Sequence, residues 1–169
     1  LTREVQLVEV PETFVRDYFI QLKPGSEQEI AGWVQLDGTR KAQSVRIEIP
    51  EARIGFSVQT NEQGFASFAQ RASLRLWSPE NPKLHEVIVQ TESDTVRDAI
   101  GFRSISTRGH DILLNGKPLF LRGICIHEEA PLRGGRAFSR EDARILLSWA
   151  KELGCNFVRL AHYPHNENM

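Results

Sequence analysis

Apolar and polar residues alternate along much of the first hundred positions of this chain. Residues 45–49 run Val-Arg-Ile-Glu-Ile, and the same period of two recurs at 54–58, 74–76 and 87–89. Such alternation predicts strands with one face packed inward and the other in water. Groups of turn-forming residues separate these runs, at positions 24–26, 37–38, 61–64 and 78–82. The pattern predicts seven or eight short strands before residue 103, arranged as an immunoglobulin-like sandwich.

A different pattern begins after Arg103. Asn115 and Gly116 lie between two apolar runs, and this pair supplies the positive φ angles of a tight hairpin turn. The nearly continuous apolar run at 120–126 predicts a strand that is covered on both faces, as in a parallel sheet.

Residues 139–154 carry the clearest helical pattern in the chain. Ser139 can cap the start of this helix, and Gly154 is expected to end it. Its predicted apolar stripe consists of Leu146, Leu147, Ala150 and Leu153. A second strand at 156–161 follows at once, which makes a βαβ unit with a right-handed crossover. One such unit cannot cover its own strands on both faces, so we expect it to begin a larger α/β structure.

Composition narrows the classes of function. Twenty-one Lys and Arg residues against 22 Asp and Glu give a net charge of -1, which argues against nucleic acid as a partner. No apolar run reaches the roughly 20 residues that span a bilayer, so no membrane partner is expected. Cys125 and Cys155 lack a metal-ligand spacing and are expected to be buried free thiols. No metal or other cofactor is predicted. The sequence does not decide between a cytoplasmic and a periplasmic or secreted location.

Five motifs occur in order between Trp77 and Met169. They are Trp-Ser-Pro-Glu-Asn-Pro at 77–82, Gly-Phe-Arg at 101–103, Leu-Asn-Gly-Lys-Pro with Leu-Arg-Gly at 114–123, His-Glu at 127–128, and Asn-Phe-Val-Arg with His-Tyr-Pro at 156–164. Together they resemble glycoside hydrolase family 2, which includes β-galactosidases, β-glucuronidases and β-mannosidases. Residues 1–76 match this family only in general character.

The resemblance implies a mainly β fold. Residues 1–103 are expected to form the immunoglobulin-like β-sandwich domain, and residues 104–169 the first βαβ portion of a (β/α)₈ TIM barrel. In the family, six further strand–helix units follow, so the chain is expected to be an internal fragment. The family's retaining mechanism uses a nucleophilic glutamate and an acid/base glutamate. Both are expected beyond Met169, so the chain by itself is expected to be inactive.

Residues at the carboxyl ends of the two predicted barrel strands form the candidate site. Arg159 lies within an apolar strand, where a buried guanidinium needs a carboxylate acceptor. The resemblance suggests the nucleophilic glutamate, and the alternative is a local carboxylate. By resemblance, His162 contacts the non-reducing sugar, and the alternative is a histidine that only orders its loop. His127 and Glu128 by resemblance form or support the floor of the active site, or else only brace the barrel.

Other residues have types that could serve in the site, but loop or packing roles are expected for them. Asn166-Glu167 is the dipeptide of the family's acid/base, but it follows the second strand instead of the fourth and is expected to be polar loop. Trp33 and Trp77 have rings that can stack on sugars, yet packing is the expected role of tryptophan in a sandwich. Trp149 lies on the predicted helix and is expected to be a packing residue.

The resemblance therefore predicts hydrolysis of terminal β-glycosidic bonds in a β-linked oligosaccharide or glycoside. A β-galactosidase is the leading interpretation, followed by a β-glucuronidase and then a β-mannosidase. A glucuronidase would need cationic groups for the sugar carboxylate, and the sequence does not single out any. The sequence does not decide whether the protein forms a homo-oligomer. The alternative from another class is a non-catalytic β-sandwich module that serves in binding or assembly.

Overall fold

The computed structural model describes residues 5–169. These residues divide into two compact units, one formed by residues 8–119 and the other by residues 120–169 together with residues 5–7. No helix within 5–169 has the length and apolar character to cross a membrane.

Two antiparallel sheets form the body of the first unit. The first sheet has the order β1-β2-β5 and contains β1 (Thr13–Leu22), β2 (Glu29–Gly38) and β5 (Phe65–Arg71). The second has the order β4-β3-β6-β7 and contains β3 (Ser44–Ile49), β4 (Ile54–Gln59), β6 (His85–Gln90) and β7 (Thr95–Ile100). A short 3₁₀ turn at Pro50–Ala52 joins β3 to β4. The predicted immunoglobulin-like sandwich is confirmed, with seven strands in residues 13–100.

The core of the sandwich follows from the alternation in the sequence. Every second residue of β3 is buried completely, and β6 and β2 contribute their alternate residues in the same way. The largest fully buried side chains are Phe102, Ile30, Leu36, Ile47, Ile49, Val34, Val45, Val87 and Val89. The strand predicted at 74–76 is wrong, because residues 72–77 lie outside the ladders of both sheets. Leu74 and Leu76 nevertheless pack against the core, which explains their apolar character.

Trp33 lies on the outer face of the first sheet and packs against its neighbours. Its ring stacks on Phe19 at 6.5 Å and on Phe65 at 6.2 Å between centroids. Trp77 packs under the Arg103 guanidinium at 5.3 Å. Both tryptophans thus have protein partners on their ring faces, which favours the packing interpretation.

A three-stranded meander ends the first unit. It contains β8 (Ile105–Arg108), β9 (Asp111–Leu114) and β10 (Lys117–Leu119), in the order β10-β9-β8. Leu114 pairs with Lys117, so Asn115 and Gly116 form a two-residue loop with φ angles of 49° and 73°. This confirms the predicted hairpin. Its contacts place the meander with residues 8–119, so the domain boundary after residue 103 stays a prediction.

The second unit contains the predicted βαβ arrangement. It consists of β11 (Gly123–Ile126), α1 (Arg140–Glu152) and β12 (Phe157–Leu160). The two strands are parallel, with Gly123 opposite Phe157 and Ile126 opposite Leu160. β11 is shorter than the strand predicted at 120–126. Residues 120–122, which precede β11, are held by the Asn156 side chain instead. Its Oδ1 accepts from the Arg122 amide at 2.8 Å and its Nδ2 donates to the Phe120 carbonyl at 2.9 Å.

Helix α1 begins as predicted. The Ser139 hydroxyl accepts from the Asp142 amide at 3.1 Å and the Asp142 carboxylate accepts from the Ser139 amide at 3.1 Å, forming a reciprocal capping box. Ala143 and Ala150 are buried on the packed face. Leu153 is 72% exposed, so its inclusion in the stripe is wrong; it lies past the last helical turn, at the C-cap. Trp149 packs only in part, with 38% of its surface exposed.

Candidate functional site

The two candidate histidines meet at the carboxyl ends of the parallel strands. His127 directly follows β11, and His162 follows β12 by two residues. Because the strands are parallel and in register, both residues emerge at the same edge of the sheet. Their ring centroids lie 5.4 Å apart, in an edge-to-face arrangement.

Arg159 points to this same edge. Its Nη1 lies 2.8 Å from Nδ1 of His162. A guanidinium can only donate, so Nδ1 must be the acceptor, and the neutral imidazole then carries its proton on Nε2. The contact therefore orients the His162 ring and leaves its Nε2–H as a donor for a ligand.

The environment of Arg159 differs from the prediction. Its side chain is exposed, together with that of Cys125, which lies opposite it in the parallel pair and 3.9 Å from Nη1. Within residues 5–169, no carboxylate lies within ion-pair distance of Arg159, so the local partner considered above is not found there. The expected burial of the guanidinium is wrong. α1 covers only the other face of the strands, where Ile126 is buried.

The same geometry corrects the prediction for the cysteines. Cys125 is exposed and Cys155 is partly buried, and both are free thiols. Cys125 faces away from α1 because it occupies the alternate position to Ile126 on β11.

Glu128 is buried beneath the strand ends, with 5% of its surface exposed. Its carboxylate accepts a hydrogen bond from the Asn166 amide and lies 3.6 Å from Nη1 of Arg136. Asn166 and Glu167 thus belong to a loop that Glu128 ties to the end of β11. This arrangement gives Glu128 a bracing contact and leaves the His127 ring at the surface.

Tyr163 and Arg136 complete the arrangement, and sequence reasoning missed their importance. The Tyr163 hydroxyl accepts from the Glu128 amide at 3.1 Å and from Nη1 of Arg136 at 3.0 Å. The guanidinium carbon of Arg136 also stacks 5.1 Å above the Tyr163 ring. The His-Tyr-Pro motif contained a signal for Tyr163, but no local pattern pointed to Arg136, which lies in the β11–α1 loop.

A cavity of about 620 Å³ opens beside this group. It is lined by His127, Glu129, Ala130, Pro131, Gly134, Gly135, Arg136 and Tyr163. Its volume is that of a small-molecule site, and its lining combines imidazole, guanidinium and phenol donors. Among residues 5–169, no group of three or more His, Cys, Asp or Glu side chains could hold a metal ion. His127, Arg136 and Tyr163 can donate hydrogen bonds to a ligand in this cavity.

A further ion pair holds the loop that lines this cavity. Arg133 approaches Asp142 with Nε–Oδ1 and Nη2–Oδ2 distances of 3.2 and 2.6 Å. The hydrogen bonds from this guanidinium, with those from the Ser139 and Phe138 amides, hold the pKa of the Asp142 carboxyl far below its usual range. The start of α1 and the β11–α1 loop are thus joined through one carboxylate.

Comparison with known proteins agrees with this architecture. The family model for glycosyl hydrolases family 2 matches residues 13–103, and the model for the TIM barrel domain of that family matches residues 105–169. A β-galactosidase of Actinobacillus pleuropneumoniae is 27% identical over 96% of this chain, which spans 16% of that protein's length.

Solved structures give the same result. A GH2 β-galacturonidase from Eisenbergiella tayi, bound to galacturonate, is 27% identical with a TM-score of 0.74, over 95% of this chain and 30% of that one. The β-glucuronidase of Ruminococcus gnavus is 26% identical with a TM-score of 0.70, over 94% of this chain and 27% of that one. The immunoglobulin-like sandwich and the parallel βαβ unit are therefore the two domain types of one enzyme family. The chain belongs to glycoside hydrolase family 2.

Proposed function

We propose that this chain supplies positioning and sugar-binding groups to a retaining glycosidase that hydrolyses terminal β-glycosidic bonds, with β-galactosides as its leading substrates. The observation that carries the proposal is the convergence of Arg159, His162 and His127 at the carboxyl ends of two parallel strands. In barrel enzymes, this edge is where substrates bind. The β-galactosidase named above, which matches nearly the whole chain, supports galactosides as the first choice.

Each residue has a role that its geometry can perform. Arg159 donates one N–H to His162 and keeps further donors for a carboxylate, which a guanidinium binds well because two parallel hydrogen bonds can form. The nucleophilic glutamate of a retaining enzyme is the carboxylate that we assign to it. His162 presents Nε2–H to a sugar hydroxyl, and His127 lies beside it as a second donor or acceptor.

We infer that the two glutamates nearest the strand ends in residues 5–169, Glu128 and Glu167, are not the catalytic pair. Retaining hydrolysis needs two carboxyl groups about 5 Å apart, one as nucleophile and one as acid/base. Glu128 is buried, and its carboxylate is engaged with Asn166 and Arg136. Glu167 lies in the exposed loop that follows β12. We therefore expect the 169-residue chain to have no hydrolytic activity of its own.

A uronic acid glycoside is the second candidate substrate. The guanidinium groups of Arg159 and Arg136 are both exposed at the site, so cationic donors for a sugar carboxylate are present after all. The two solved structures described above are a β-galacturonidase and a β-glucuronidase, which supports this alternative.

The substrate can be tested with a panel of nitrophenyl galactoside, glucuronide, galacturonide and mannoside. The enzyme should be a protein that carries this chain with a complete barrel, and the 169-residue chain serves as the inactive reference. We expect the galactoside to give the highest kcat/KM. Arg159→Lys should lower this kcat/KM, whereas the control Arg144→Lys, on the exposed side of α1, should not. Preference for a uronide would select the second candidate. No hydrolysis of any substrate would favour a non-catalytic binding or assembly module.

A further inference from the structure

We infer that Tyr163 is a positioning residue, and that with Arg136 and Glu128 it forms a clamp that fixes the imidazoles of His127 and His162. These three residues are called the loop clamp below. The link to catalysis rests on the proposed function, whereas the clamp itself is a statement about structure that can be tested separately.

The hydroxyl of Tyr163 is the centre of the loop clamp. Its oxygen accepts two hydrogen bonds, from the Glu128 amide at 3.1 Å and from Nη1 of Arg136 at 3.0 Å. A phenol oxygen that accepts two hydrogen bonds has only its own proton left to offer. Tyr163 also lines the cavity of about 620 Å³, and its hydroxyl proton is not used by either of these two hydrogen bonds.

The loop clamp joins three points in two loops that are distant along the chain. Glu128 follows β11, Arg136 lies near the end of the β11–α1 loop, and Tyr163 follows β12. The Glu128 carboxylate adds a fourth point, because it accepts from the Asn166 amide. The loops after the two parallel strands are thereby held to each other by polar contacts on one side of the strand ends.

Both candidate histidines are direct neighbours of clamp residues. His127 precedes Glu128, and His162 precedes Tyr163. The His127 and Tyr163 rings lie 6.1 Å apart. A clamp residue that moves therefore moves the backbone that carries an imidazole, which would change the 5.4 Å separation of the two rings.

A weak ion pair also contributes to the loop clamp. The Arg136 side chain is 46% exposed, whereas the Glu128 side chain is 7% exposed. A buried carboxylate needs a cation or hydrogen-bond donors, and Arg136 provides both a charge and a donor to the adjacent phenol. Arg136→Lys keeps the charge but loses the Nη1 contacts to Tyr163 and Glu128, so we expect it to restore only part of the function lost in Arg136→Ala.

The clamp can be tested by nuclear magnetic resonance on the 169-residue chain. Tyr163→Phe keeps the ring and removes the acceptor, and Arg136→Ala removes the guanidinium. We expect both to shift the ring nitrogen signals of His127 and His162. In Tyr163→Phe the Glu128 amide should exchange roughly tenfold faster, because it loses its acceptor. The matched controls Tyr18→Phe, in the sandwich, and Arg144→Ala should leave these signals unchanged. Unshifted imidazole signals in both clamp variants would overturn the inference.

The same variants separate the clamp from the proposed function. In a protein with the complete barrel, we expect Tyr163→Phe to lower kcat roughly tenfold with a smaller change in KM, and Arg136→Lys to recover part of the loss over Arg136→Ala. Unchanged kcat in an active enzyme would refute the positioning role and leave the proposed function standing. An inactive wild-type enzyme would refute the proposed function, and the imidazole signals would still decide whether the clamp exists.

Discussion

Replacing Glu128 with alanine should loosen the strand-end loops while the sandwich stays intact. The carboxylate is nearly buried and accepts from the Asn166 amide, and it also lies 3.6 Å from Arg136. Alanine removes both contacts and leaves the partly buried Asn166 amide without this acceptor. Residues 127–137 and 162–168 should therefore open more often.

The size of the effect can be worked from these contacts. Leaving a buried donor unsatisfied costs about 1–3 kcal/mol. The ion pair adds little, about 0–1 kcal/mol, because Arg136 is half exposed and solvent screens its charge. Together these give a loss of about 2 kcal/mol in local opening free energy, which corresponds to roughly 30-fold faster amide exchange.

Hydrogen exchange measured by mass spectrometry is the direct assay. Peptides from 127–137 and 162–168 should exchange faster in Glu128→Ala, and peptides from the sandwich should not change. Glu129→Ala is the matched control, because the neighbouring side chain is exposed. Glu128→Gln should give an intermediate effect, since the amide oxygen can still accept from Asn166. Wild-type exchange rates at 162–168 in Glu128→Ala would refute the bracing role.

Four further predictions concern pH, capping and association. Burial, then the 2.7 Å hydrogen bond to Asp98, raises the pKa of Tyr18 to about 12. The unfolded phenol ionises first, so stability should fall as pH rises from 10 toward 12, and urea titrations of Tyr18→Phe should lack this slope. Because the pKa of the Asp142 carboxyl is lowered in the folded state, its contribution to stability should be present above the usual carboxyl pKa and lost as pH falls. Acid unfolding of Asp142→Asn should therefore be less steep. Ser139→Ala should cost about 1 kcal/mol in urea unfolding, whereas Ser139→Asp should not. The chain should self-associate, or its amides should exchange faster after residue 104 than in the sandwich, because Leu153 and other large apolar side chains there are exposed. A monomer by light scattering, together with uniformly slow amide exchange, would contradict this prediction.

Uncovered apolar side chains explain why the sequence overestimated the packing of the second unit. Leu153 and Cys125 have the residue types of buried positions, yet both are exposed. Residue type records what a position is suited to contact, whereas exposure depends on which elements are present beside it. Arg159 shows the same effect for a charged group, since its expected burial requires neighbours on the strand face opposite α1.

Local elements could be predicted because their causes lie within a few residues. Period-two alternation placed β3, β4 and β6 and their inward-facing residues, and the Asn115-Gly116 pair placed a hairpin whose two φ angles are positive. Ser139 placed the start of α1, and its capping partner Asp142 was found only in the structure. The family motifs, fixed in order along the chain, predicted the family that the comparisons show.

The assembly of the site depended on tertiary structure. Parallel register brings His127 to His162, and packing of the two loops brings Glu128 to Tyr163, 35 positions further along the chain. Arg136 joins them from a loop whose sequence has no period. The sequence by itself determined the strands, turns and helix, because hydrophobic period, φ preference and capping act over a few residues. Only the tertiary structure decided which polar side chains meet, because those contacts depend on register and burial between segments that are far apart in the chain.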